Sequence, residues 1–364
     1  MRMTKTAKQG SFISNLLHHQ IFIPLAALIL LVLFNLIADP SFFRIALGVN
    51  NEGNPVFSGN PITIIDSGAE LAILSIGMTL VTAASGGQDI SVGAAIAISG
   101  SVFLRVLCGN NPHPTELQAP IIVAFLISVL VAMLFGAFNG ILVAGFKIQP
   151  MVATLILFTA GRDIAAMINN NTLPVVSSMT LKHIAEFIPG IPIPTPFFIT
   201  IACLLVTWAL LKFTNLRLYI QSVGINEKTA RLNGLNPVLI KFATFVILGV
   251  CVAVAALIKV ARVQQINYSV IAKDIEMDAI LAVALGGNSL GGGKFNMGAS
   301  ILGAYVIQFL TTTLYKFNVQ PEALSAYKAI VVIALVIFSA PVFREKMAAL
   351  GKKIRAPKSA ETKA

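Results

Sequence analysis

The segment Ile21–Ala38, IFIPLAALILLVLFNLIA, carries no charged side chain, and segments of the same kind recur along the whole chain. A hydrocarbon slab about 30 Å thick is crossed by about 20 apolar residues in a helix. Backbone groups in lipid have no water to bond, so an isolated run of this kind must close its hydrogen bonds on itself as a helix. The runs fall at about Ile21–Ala38, Ile62–Ala84, Val92–Leu107, Ala119–Phe146, Met151–Ile168, Pro196–Phe213, Phe242–Ala261, Glu276–Gly286, Gly298–Leu314 and Leu324–Phe343. The expected fold is therefore all-α: a polytopic integral membrane bundle of about ten helices. The eighth run is shorter than a bilayer requires, which predicts either a short helix buried by protein or a broken one.

Composition removes the other classes. Only 11% of the 364 residues are charged and 56% are hydrophobic, where soluble domains carry roughly 25% charge and disordered chains are poor in apolar residues. Cys108, Cys203 and Cys251 lie in or beside apolar runs without a CxxC spacing, so no disulfide scaffold and no thiol metal site is expected. His18, His19, His113 and His183 lack the spacing of a zinc site.

The charge of +11 is organised by topology rather than by nucleic acid. Arg2, Lys5 and Lys8 precede the first run, and Lys212, Arg217, Lys228, Arg231 and Lys241 surround one loop. Arg344, Lys346, Lys352, Lys353, Arg355, Lys358 and Lys363 follow the last run. Lys and Arg beside membrane spans mark the cytoplasmic side. Both termini are thus expected in the cytoplasm, as segments 1–20 and 344–364, together with a loop at about 214–241. The membrane domain is expected to occupy 21–343. The stretches 39–66, 110–118 and 169–195, poor in Lys and Arg, fall outside. An even number of crossings returns the C-terminus to the side of the N-terminus, in agreement with the charges. The first run follows a basic segment as a signal peptide does, but it is long, lacks a small-x-small site and is followed by further spans, so it reads as a retained helix.

Chemistry-bearing motifs are few. GGNSLGGGKF has Asn288 where a P-loop needs its first glycine and Phe295 where it needs Ser or Thr, so it is not expected to hold a nucleotide. No HExxH, no Ser/His pair and no paired metal-binding carboxylates occur in the spans; no catalytic residue, metal or cofactor is expected. Polar groups in or beside spans are costly and often mark a pathway. Asp89, Ser91, Asn139, Gln149, Thr154, Asp278 and Asn288 form the candidate set, with Arg162 and Gln308 beside them. Many donors and acceptors with little fixed charge suit a polyhydroxylated solute; the plainer reading is that they join helices or cap broken ends. An ion-driven carrier would instead place carboxylates in the membrane, and here they fall at helix ends or in loops. Gly136 and Gly140 make a GxxxG pair that permits close helix approach.

Two stretches look alike: ELAILSIGMTLVTAASGGQDISVGAAIAISG and EMDAILAVALGGNSLGGGKFNMGASILGA. Each opens on Glu, runs apolar, breaks at a glycine cluster and resumes. Gly-interrupted segments in the two halves of a transporter point to its pathway; alternatively, glycine simply turns the chain in both. In VGINEKTARLNG, Asn226 is a cap, Glu227 sits at the positive end of a short helix, Arg231 near its C-terminal end and Gly234 at its stop. A short capped helix on the cytoplasmic face suits docking to a motor protein, and an ordinary surface helix would read the same way.

SGGQDISVGA, GAFNGILVAGFKIQPMVATLILFTAGR, SVGINEKTARLNG and EMDAILAVALGGNSLGGGKFNMG resemble, in that order, the motif blocks of bacterial ABC sugar-importer permeases of the ribose/galactofuranose/autoinducer-2 branch, from about Ile62 to Phe338. NGILVAGFKIQPMVATLIL and EMDAILAVALGG look nearest the galactofuranose type. The resemblance implies a multi-pass inner-membrane subunit that pairs with itself or a paralogue around a pore. It also implies a cytoplasmic ATPase docked at the Glu227–Asn233 helix, with Glu227, Lys228 and Arg231 carrying the coupling, and a periplasmic sugar-binding protein that delivers solute. Two positions depart from the branch: Gln88 stands where a hydrophobic residue is usual, and Asp163 where glycine is common.

Overall fold

The computed structural model describes residues 21–49 and 53–339; the expected cytoplasmic segments 1–20 and 344–364 lie outside them. Helix α1 (Phe22–Ala38) is followed by a 3-10 turn and by an antiparallel hairpin, β1 (Ala46–Val49) and β2 (Pro55–Ser58), with Ala46 opposite Ser58. Then come α2 (Asn60–Ser67), α3 (Ala69–Ser85), α4 (Val92–Cys108), α5 (Ile121–Gly140) with a π-helical turn over Ile141–Gly145, and α6 (Pro150–Ile168). The remainder is α7 (Met179–Ala185), α8 (Thr195–Phe213), α9 (Leu216–Ile225), α10 (Glu227–Leu232), α11 (Pro237–Val263), α12 (Ile275–Leu285), α13 (Met297–Lys316) and α14 (Pro321–Ser339). Two compact units divide at Thr313/Leu314. In the second, α14 opens on Pro321 and Glu322, a favourable start for a helix, and exposes Tyr327, Ile330 and Ile333.

Each expected apolar run coincides with a helix over its described residues; the last run, Leu324–Phe343, is described as far as Ser339. Among the described residues, six helical segments are long and apolar enough to cross a membrane: Asn60–Ser85, Ile121–Gly145, Pro150–Ile168, Thr195–Phe213, Pro237–Val263 and Met297–Lys316. Helices α1 and α4 are shorter, at 17 residues each, and α12 has 11.

Helix α11 organises the first unit. It starts cleanly because Asn236 Oδ1 accepts from the amides of Val238 and Leu239 at 3.1 and 3.2 Å, with Pro237 at the first helical position. It packs against α3, α4 and α5. The α5 contact is close because Gly136 faces Phe245 O and Gly140 faces Phe242; a Cβ on Gly136 would lie 2.3 Å from that carbonyl. Helix α3 is buried on nearly every side, whereas α5 and α8 turn Leu126, Leu130, Leu134, Leu205 and Val206 outward. Exposed apolar faces of this kind belong against lipid or another membrane helix.

The short eighth run has a physical explanation. The chain enters α12 through turns over 268–274, with Asp274 at φ +64°. Arg162 Nη1 on α6 donates to Tyr268 O at 2.7 Å and Ile271 O at 2.9 Å. Irregular backbone inside a bundle is tolerated where protein groups satisfy it, and Arg162 supplies them.

Candidate functional site

The polar candidates separate into groups. Asp89 lies in the turn after α3, Ser91 at the start of α4 and Asn139 in the last turn of α5. Ser91 N and Oγ donate to Asp89 Oδ1 at 2.7 and 2.6 Å. Asn139 Nδ2 donates to Asp89 Oδ2 at 3.1 Å and Ser91 Oγ at 2.9 Å. Thr154 Oγ1 on α6 accepts from Ile90 N at 3.1 Å. Four of the expected residues therefore converge on one turn. Asp89 is 3% exposed, and the space among Asp89, Asn139, Phe245 and Leu248 is about 10 Å³, room for little more than one water. The cluster holds α3, α4, α5 and α6 in register and leaves no solute-sized opening at this point of the bundle.

The two glycine-rich stretches meet each other. Each forms a helix, a glycine turn and a second helix: α3–α4 around 86–91 and α12–α13 around 286–296. Gly293 N donates to Ala83 O at 2.9 Å, and Gln88 Nε2 donates to Leu290 O at 3.1 Å. Gln88, the departure from the branch, is thus a strut between the turns; Asp163, the other departure, is exposed on α6. Asn288 is a pin rather than a lining group: its Nδ2 donates to Ser300 Oγ at 2.7 Å, and its Oδ1 accepts from Asn296 N at 2.6 Å. Ser300 Oγ also accepts from Thr79 Oγ1 at 2.7 Å, tying α13 to α3. Gln149 is exposed at the start of α6, and Asp278 is partly exposed on α12; neither joins the Asp89 cluster.

The basic loop folds as two short helices. Asn226 Oδ1 accepts from Thr229 N at 3.0 Å and caps α10. Glu227 in its first turn and Arg231 in its last complement the helix dipole, and Gly234 at φ +80° leads the chain away. Glu227 Oε2 accepts from Lys241 Nζ on α11 at 2.7 Å, and Arg231 lies 3.8 Å from its other oxygen. The Lys241 hydrogen bond holds the Glu227 carboxyl below its usual range, with the charges of Lys241, Arg231 and Lys147 assisting against partial desolvation. Lys228, Arg231 and Leu232 point outward, Leu232 being 88% exposed. Behind this helix, α9 sits hard against α3: a Cβ on Gly224 would lie 1.9 Å from Ala83 O. The exposed helix α10 is therefore fastened to α11 by an ion pair and abuts a second helix that is locked to α3.

One cluster escaped the sequence. At the end of α11 opposite the basic loop, Arg262 forks onto Asp66, from Nη1 to Oδ2 and from Nη2 to Oδ1, and reaches Glu70 Oε1 at 3.2 Å. Lys259 Nζ lies 3.7 Å from the same Glu70 oxygen. Glu70 is 1% exposed. Its place in the first turn of α3, and that of Arg262 in the last turn of α11, put each charge at the favourable helix end. Lys259 and Arg262, one turn apart on a long apolar helix, were the available signal. Glu276, 2% exposed beside Gly93, is a further buried carboxylate. The carboxylates do lie at helix ends, but Glu70, Asp89 and Glu276 are inside the bundle. Their burial removes the weight that positions at helix ends or in loops carry against an ion-driven carrier.

Family comparison supplies the stronger argument. Residues 60–340 match the family model for the branched-chain amino acid transport system / permease component. The chain is 37% identical over 313 residues to the galactofuranose transporter permease protein YtfT of Escherichia coli K12, covering 86% of this chain and 87% of that one. It is 33% identical over 353 residues to the fructose import permease protein FruF of Bifidobacterium longum, covering 95% of each. It is 31% identical over 317 residues to the ribose import permease protein RbsC of Escherichia coli K12, covering 86% of this chain and 91% of that one. No solved structure matches the chain. With a family match across the helical bundle and relatives aligned over most of their length, the chain belongs to the branched-chain amino acid transport system / permease component family.

Proposed function

We propose that this permease is the membrane-spanning subunit of an ATP-binding-cassette importer for a monosaccharide, set in the inner membrane with the basic loop in the cytoplasm. The observation that carries the reading is α10: a capped, exposed helix joined to α11 through Glu227–Lys241 at 2.7 Å. A push on α10 by a cytoplasmic ATPase passes to α11, and through Gly224 and Ala83 to α3. Those two helices hold the Asp89 joint and the glycine turns, so the same push re-aims the polar centre of the bundle. The sugar class rests on relatives named for galactofuranose, fructose and ribose. The chain forms and breaks no covalent bond in this scheme; a periplasmic binding protein delivers the solute and the partner hydrolyses ATP.

The solute path runs between two permease copies, or this chain and a paralogue. Asp89, Ser91, Asn139, Thr154 and Asn288 set helix positions, while Gln149 and Asp278 remain accessible to line it. The rival, an ion-gradient carrier, draws on Glu276, whose Oε2 has no hydrogen-bond partner among the described residues.

The test reverses outward charges without touching the internal ion pair to Lys241. In the purified assembly, Lys228→Glu with Arg231→Glu releases the ATPase while the chain stays folded in the membrane. Full retention of the ATPase contradicts the docking assignment.

A further inference from the structure

A cavity of about 480 Å³ opens where α8 ends, between α8, α9 and the start of α13. Its walls are mostly apolar, from Leu204, Trp208, Leu211, Phe295 and Met297 with Asn296 among them, and its rim carries Lys212 and Arg217. Lys212 Nζ sits 4.4 Å above the Trp208 ring and 5.9 Å from that of Phe213, which holds the ammonium at the cavity mouth. Among the described residues no carboxylate lies within ion-pair distance of Lys212 or Arg217. The cavity thus joins two unneutralised cations to an oily slot, on a helix whose Leu205 and Val206 face outward. The volume falls in the range of small-ligand sites. A soluble anion would use the cations and leave the slot empty; a neutral lipid would fill the slot and leave the cations unpaired.

The geometry points to a binding site for one anionic phospholipid of the leaflet on the basic side, its phosphate between Lys212 and Arg217 and an acyl chain along Leu204, Trp208 and Leu211. Basic pockets between membrane helices on the cytoplasmic side are suited to acidic headgroups, and Trp favours the interfacial level at which this one opens. The assignment to the cytoplasmic leaflet rests on the sidedness proposed above; the site itself does not. The bound lipid would touch Phe295 in the loop before α13 and Met297 at the start of that helix. That loop also contacts α3 through Gly293, so the lipid would link α8 and α9 to the junction of the glycine turns.

Trp208 is the only tryptophan in the sequence, so its fluorescence reports on this cavity alone. The purified full chain is reconstituted in phosphatidylcholine bilayers containing a small fraction of either brominated phosphatidylglycerol or brominated phosphatidylcholine. Two cations near the surface predict enrichment of the acidic lipid of roughly tenfold or more, read as deeper quenching at equal bromolipid fraction. Lys212→Gln with Arg217→Gln removes the preference and leaves quenching by the zwitterionic lipid in place; both residues are exposed, so the fold survives. Equal quenching by the two lipids in the unaltered chain overturns the proposal, as does a preference that persists in the double variant. Loss of the preference on adding inorganic phosphate, but not on adding chloride at equal ionic strength, would identify a soluble-anion site and also overturn it.

Discussion

The bundle buries carboxylates by two different means. At the end of α11 away from the basic loop, Asp66 and Glu70 face the full charges of Lys259 and Arg262. In the turn between α3 and α4, Asp89 meets only neutral donors: the amide and hydroxyl of Ser91 and the side-chain amide of Asn139. Removing one partner from a buried ion cluster strands a charge, whereas removing a neutral donor loses a hydrogen bond. The difference teaches that the first cluster is a clamp and the second a joint, able to be re-bonded in another geometry at far smaller cost. A moving part in a transporter needs the second kind.

The largest expected effect follows directly. Arg262→Ala leaves Asp66 and Glu70 with Lys259 alone and destabilises the chain by about 3–5 kcal/mol, measured as a fall in the thermal midpoint in detergent. A midpoint unchanged from the parent would erase the distinction between clamp and joint.

Asp89→Asn comes next. The new amide puts a donor against one of Asp89's donor neighbours, with an expected cost of about 1–3 kcal/mol. Uptake should fall only with the amount of folded complex. A tenfold loss of uptake per folded complex at unchanged stability would mean that Asp89 touches solute, against the role given to it here.

Ser300→Ala probes a joint with no carboxylate. It removes one partner each from Thr79 and Asn288, but the Thr79 hydroxyl keeps its bond to Ser75 O. The net loss is close to one neutral hydrogen bond, about 0.5–1.5 kcal/mol, and should be smaller than that of Asp89→Asn. A larger loss than that of Asp89→Asn would show that the bonding pattern, rather than the buried carboxylate, ranks these sites.

How much of this was legible in the sequence depended on reach along the chain. Helices came from runs of apolar residues, and the cap at Asn226 from a pattern three residues long, because the physics that sets them is local. The convergence of Asp89, Ser91 and Asn139 was visible only as a set of polar residue types; their bonding requires α5 to fold back on α4. The Arg262 clamp joins residues 192 and 196 positions apart, and no local pattern reports such a pairing. Asn288 looked like a pathway group because a polar residue in a glycine turn reads the same whether it faces solute or pins the loop. The paired strands Ala46–Val49 and Pro55–Ser58 lie in a stretch that the sequence shows only as a polar loop, since strands of four residues are too short to show alternation.

The smallest effect concerns the partly buried Glu227–Lys241 pair at α10. The folded state lowers the Glu227 pKa through Lys241, so the contribution of this pair is complete above the ordinary glutamate value of about 4.3 and fades as pH falls through the lower folded value. Retention of the ATPase should weaken on the acid side, and Glu227→Gln should flatten that limb by abolishing the titration. An acid limb of the same shape in the variant would assign it to another group.

The central claim is that this chain is a gate worked from outside itself through α10. Vesicles holding the full assembly with ATP in the compartment facing the ATPase, and a second set holding this chain alone under a proton or sodium gradient, test it directly. The account predicts ATP-dependent accumulation of a monosaccharide in the first and none in the second. Accumulation by the chain alone, driven by the ion gradient, would contradict it.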